Sequence, residues 1–96
     1  MKPKTGPYDP GWVVELAKEQ RPADAELVQG LARCTMMVGE CDCGCGDPHF
    51  VNPASRDWKV KRCVELMRAD GVSVIVDVLE DGRVGSIEIG EWWRKK

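Results

Sequence analysis

The sequence points to an α+β domain: two or three short helices packed on a small antiparallel β-sheet built around a C-terminal hairpin. Three observations lead there. Residues 72–79 are dominated by β-branched residues and are followed by Asp81-Gly82, a dipeptide that favours tight hairpin turns. Val84, Ile87 and Ile89 continue the pattern beyond it, giving strands near 72–80 and 83–92. Residues 12–20 are rich in helix formers, and Val60, Cys63, Val64 and Met67 recur at the i, i+3, i+4, i+7 spacing of one helix face.

Taken in order, residues 1–10 hold three prolines and a glycine and read as a flexible leader, leaving residues 11–96 as one domain. A first helix runs from Gly11 to Gln20, with Trp12, Val13 and Leu16 on one stripe and Pro22 as its stop. A second starts at Asp24 as N-cap and is punctuated by Gly30. Residues 31–38 are compatible with an extension of that helix or with a strand. Residues 41–52 form a tight, irregular passage, with a short extended piece at His49-Phe50-Val51 and a turn at residues 52–55. Residues 59–68 are read as a third helix ending at Gly71; the rival reading is a strand joined through an Asp70-Gly71 turn to the next one. In the C-terminal hairpin a two-residue loop sets Glu80 opposite Arg83 and Val76 opposite Ile87.

Length and charge bound the function. Ninety-six residues and a formal charge of -2, from 14 basic and 16 acidic side chains, exclude a multidomain enzyme. They also argue against nucleic acid or an anionic membrane surface as the partner, since both select a basic excess. No apolar run of signal-peptide length follows the N-terminal lysines, and no stretch is long enough to span a bilayer. With five cysteines, an odd number, the chain reads as a cytoplasmic protein with reduced thiols rather than a disulfide scaffold.

The chemistry is concentrated at Cys41-Asp42-Cys43-Gly44-Cys45-Gly46-Asp47-Pro48-His49, which places three thiols and the single histidine within nine residues. Thiolate and imidazole are the ligands of a tetrahedral zinc site. Gly44 and Gly46 suit a chain that must curl around an ion, so Cys41, Cys43, Cys45 and His49 are the candidate metal ligands, with Cys34 and Cys63 in reserve. The C-x-C-x-C-x3-H spacing differs from the paired C-x2-4-C knuckles of most zinc modules. A tight turn in which cysteine packs as a small hydrophobe accounts for the same residues. A Cys–His nucleophile is the reactive reading of the cluster, and Cu(I) on clustered thiolates with Met36 and Met37 is a further one.

Trp92 and Trp93 fall at the end of the last strand, where alternation points one inward and one outward. They are the candidate anchor for a protein partner or a second copy of the chain. The expected function is a non-enzymatic binding or accessory module with a cysteine-rich loop that binds structural zinc. The alternative is a metal- or thiol-dependent enzyme or redox sensor using Cys41, Cys43, Cys45 and His49.

Overall fold

The computed structural model describes residues 1–41 and 47–90. These described residues form two helices and a six-stranded antiparallel sheet: β1 (Lys2–Pro7), α1 (Gly11–Gln20), α2 (Ala25–Ala32), β2 (Met36–Glu40), β3 (Pro48–His49), β4 (Val60–Met67), β5 (Ser73–Leu79) and β6 (Val84–Ile89). The strand order is β1-β2-β3-β6-β5-β4. The α1–α2 pair links the neighbouring strands β1 and β2, and the β3–β4 connection carries the chain to the far edge of the sheet. From there β4, β5 and β6 return as a meander that closes against β3. The α+β fold with a small antiparallel sheet is therefore as the sequence indicates.

The first two of the three expected helices are present. Pro22 lies just beyond the end of α1. Val13 and Ala17 face inward, while Trp12 sits at the rim and donates its indole N–H to the Tyr8 hydroxyl at 3.2 Å. In α2 the Asp24 carboxylate accepts from Leu27 N–H at 3.1 Å, the N-cap bond expected from the sequence. The helix runs two residues past Gly30, because that glycine is a packing position and not a terminus. A Cβ there would lie 3.1 Å from Val84 Cγ2 and 3.2 Å from the Gly82 carbonyl. Residues 31–38 thus divide between the end of α2 and the start of β2.

Two expected elements are corrected. Residues 1–10 are not an irregular leader: Lys2–Pro7 forms β1, paired with β2 from Lys2↔Glu40 to Pro7↔Met36. Prolines lack the N–H that a central strand needs, but β1 is an edge strand, where one side of the ladder faces away from the sheet. Residues 59–68 are not a helix but β4. Within it the buried residues alternate, Val64 and Leu66, whereas Val60, Cys63 and Met67 of the supposed helical stripe are exposed. The cause lies in β5, whose Val74, Val76, Val78 and Leu79 are all fully buried. Such a strand needs a neighbour on both edges, and an eight-residue partner supplied through a tight turn outweighs helix propensity.

The two hairpins use the same turn. In each a three-residue loop ends in a glycine at positive φ, Gly71 at 83° and Gly82 at 90°. Gly71 N–H donates to the Arg68 carbonyl at 2.9 Å and Gly82 N–H to that of Leu79 at 2.9 Å. The preceding aspartate accepts from the amide two residues on: Val72 N–H to Asp70 at 3.1 Å, Arg83 N–H to Asp81 at 2.9 Å. The third loop residue displaces the expected Glu80–Arg83 pair, so Arg83 instead meets Asp81 at 2.7 Å and Asp57 at 2.9 Å. An irregularity between Asp77 and Val78 absorbs the shift, and Val76↔Ile87 pairs as expected.

The core lies between the helices and one face of the sheet. Val13, Ala17, Leu27 and Leu31 pack on Val64, Leu66, Val74, Val76, Val78, Val84 and Ile87. Two polar clasps hold the layers in register. Gln20 at the end of α1 accepts from Met67 N–H at 2.9 Å and donates to the Met67 carbonyl, covering part of the outer edge of β4. Arg62 of β4 grips the Asp24 carboxylate with two N–H groups, at 2.7 and 2.8 Å. The Arg62 guanidinium holds the Asp24 carboxyl well below its ordinary 3.8, at about 2. A depressed carboxyl stabilises the fold above its unfolded pKa, and that contribution is lost as pH falls towards the folded one. Asp24→Asn is therefore expected to flatten the acid limb of stability between about pH 4 and pH 2. It should also cost about 1 kcal/mol at neutral pH through the weakened clasp on Arg62, since asparagine caps a helix as well as aspartate does. Urea unfolding across that pH range checks both effects; an unchanged acid slope would contradict the assignment.

Candidate metal loop

The cysteine-rich segment is the connection of the β2–β3 hairpin. Gly39 pairs with His49 and Glu40 with Pro48, and Cys41 N–H donates to the Asp47 carbonyl at 2.9 Å. The ladder thus closes the base of the loop, and residues 42–46 lie outside the described residues. Side chains two apart on a strand share a face, so Cys41, two residues beyond Gly39, lies on the face that carries His49. Diagonal positions of this kind are about 7–8 Å apart, within which two side chains converge on one ion. The candidate ligands Cys43 and Cys45 fall outside the described residues, as do Trp92 and Trp93.

The base of the loop is anchored to β6. Asp47 is buried and accepts from Ile89 N–H at 3.1 Å; burial pushes its carboxyl up. His49 pairs with Ser86 of β6. Its ring lies 5.8 Å from that of Trp58, tilted by 53°. Trp58 itself rests on Gly85, where a Cβ would come within 2.6 Å of the indole.

The reserve thiols are not brought to this loop. Cys34 is buried in the core beside the helices, donates to the Gly30 carbonyl at 3.4 Å, and is pushed up to about 12 by desolvation. Cys63 lies on the opposite, helix-free face of the sheet. It pairs with Asp77, which pairs with Ser86, which pairs with His49. Three strand spacings of about 4.8 Å therefore separate Cys63 from His49, too far to share an ion.

That row across β4, β5, β6 and β3 is the polar feature missing from the sequence reading. Ser86, almost fully buried, donates to Asp77 at 2.7 Å, and the Cys63 thiol donates to the other Asp77 oxygen at 3.1 Å. The hydrogen bond to Asp77 pushes the Cys63 thiol up to about 11, so it stays protonated at neutral pH and is not a thiolate nucleophile. Burial, with Asp77 and Asp47 nearby, raises the Glu88 carboxyl. The signal was available: the register that sets Val76 opposite Ile87 also sets Asp77 opposite Ser86.

Among the described residues no group of three or more His, Cys, Asp or Glu side chains gathers in a metal-binding arrangement, so a complete site would require Cys43 and Cys45. No helix among them is long and apolar enough to cross a membrane. No family model matches the chain, and no curated protein or solved structure matches it significantly.

Proposed function

We propose that this chain is a non-enzymatic binding module whose β2–β3 loop is closed by a structural zinc ion held by Cys41, Cys43, Cys45 and His49. The observation that carries the reading is the hairpin ladder, which puts Cys41 and His49 on one face at the two ends of a short loop containing two further thiols. Zinc in this role neutralises the thiolates and ties the two ends of the loop together. The thiols then require a reducing compartment, and a cytoplasmic setting satisfies it. A partner protein or a second copy of the chain binds through the aromatic end at Trp92 and Trp93.

Cobalt substitution tests the ligand set. Reduced protein loaded with Co²⁺ should show intense thiolate-to-cobalt charge transfer and the strong visible bands of a tetrahedral site. Cys43→Ser should weaken the charge transfer, and His49→Ala should shift the visible bands with the thiolate absorption retained. A weak, octahedral cobalt spectrum, unchanged by either substitution, would overturn the proposal.

A further inference from the structure

Beyond the loop, the sheet has a gap. After His49 the chain leaves the β2–β6 space: Phe50 and Val51 both direct their amides to the single Gly85 carbonyl, at 2.8 and 3.3 Å, and the chain then turns at Asn52. No β3 residue follows to bridge the first residues of β2 to the start of β6. A groove of about 240 Å³ opens there, beside the C-terminus of α2. Cys34, Val51 and Val84 form its buried floor, and Phe50 and Met36 line its walls. The Phe50 ring is held edge-on against Tyr8 at 5.2 Å, and Met36 is 53% exposed. Desolvation keeps the Cys34 thiol on the floor protonated and uncharged, and Met36, Phe50, Val51 and Val84 supply the apolar part of the lining.

The rim carries the charge. Arg33 and Arg83 are the charged residues of the groove lining, and both are cations. Arg83 is engaged by Asp57 and Asp81. Arg33, at the C-cap of α2, is exposed and has no ion-pair partner among the described residues. We propose that this groove binds a small amphipathic carboxylate, its apolar body against Phe50, Val51, Val84 and Met36 and its carboxylate on the Arg33 guanidinium. A planar guanidinium matches a carboxylate in two parallel N–H···O bonds, which fixes the ligand's orientation as well as its charge. At about 30 Å³ per water the space equals about eight waters, which suits a body of one aromatic ring with a short linker.

Amide NMR on the full chain tests this with two probes of one shape, 3-phenylpropionate and its neutral amide. The carboxylate should give saturable shifts at Arg33, Cys34, Phe50 and Val84, with the amide at least about tenfold weaker. Arg33→Gln should lower affinity for the carboxylate about tenfold while leaving the thermal midpoint unchanged. Absence of saturable shifts in the groove, equal binding of acid and amide, or full affinity in Arg33→Gln would each overturn the proposal. None of these readouts depends on the metal loop, so its failure and that of the zinc reading are distinguishable.

Discussion

Leu27→Ala is expected to destabilise the fold by about 2–5 kcal/mol, the range for removing a buried leucine from a close-packed core. Leu27 is fully buried on the inner face of α2, within the cluster that seats both helices on the sheet. Its own amide is the one that Asp24 caps, so the backbone has little freedom to close the cavity. For a domain of this size each kcal/mol shifts the thermal midpoint by about 4–8 °C, so the melting temperature should fall by about 8 °C or more. Val28, next along the helix and only partly buried, should give a distinctly smaller loss on truncation to Ala. Thermal unfolding of the two variants decides the matter. Equal, small losses would mean that α2 does not seat on the sheet through this face.

Gly85→Ala is expected to cost about 1–3 kcal/mol for a different reason, overpacking. Gly85 has no positive φ, so its backbone suits any residue. Space is the constraint: a Cβ would lie 2.6 Å from Trp58 Cζ3 and 3.0 Å from Leu79 Cδ2, and Leu79 is fully buried. The backbone cannot yield easily either, because the Gly85 carbonyl receives both Phe50 and Val51 amides. Trp58 must therefore move, and it is the ring packed beside His49. A smaller side chain in Trp58→Leu should partly rescue Gly85→Ala, and the double-mutant cycle should give a coupling of about 1 kcal/mol in the rescuing direction. Strict additivity would contradict the contact. In the zinc-loaded protein Gly85→Ala should also weaken metal retention, since it disturbs the support of a proposed ligand.

The fold was legible where local signals agreed with tertiary demand. Asp24 and Pro22 bound α2 and α1 because capping and the missing proline N–H act within one turn. The C-terminal hairpin was legible because β-branched residues and Asp81-Gly82 both point to it. β4 was not, because Val60, Cys63, Val64 and Met67 fit a helical period while the deciding demand, a second neighbour for β5, is non-local. The repetition of Asp-Gly at 70–71 and 81–82 was the clue that favoured the strand. β1 was hidden because proline argues against strands in general but not at an edge, and edge position is a property of the whole sheet. Of the candidate site, Cys41 and His49 are placed by the ladder on one face. The sequence could not separate the reserve thiols: Cys34 and Cys63 differ in which face of the sheet they occupy, and that follows only once β4 is a strand.

Elemental mass spectrometry on reduced protein purified without an affinity metal, with reactive thiols titrated in parallel, tests the proposed zinc site most directly. One equivalent of zinc is expected per chain, with three thiols becoming reactive only on addition of a chelator. Metal-free protein whose thiol reactivity and thermal midpoint are unchanged by added zinc would contradict it.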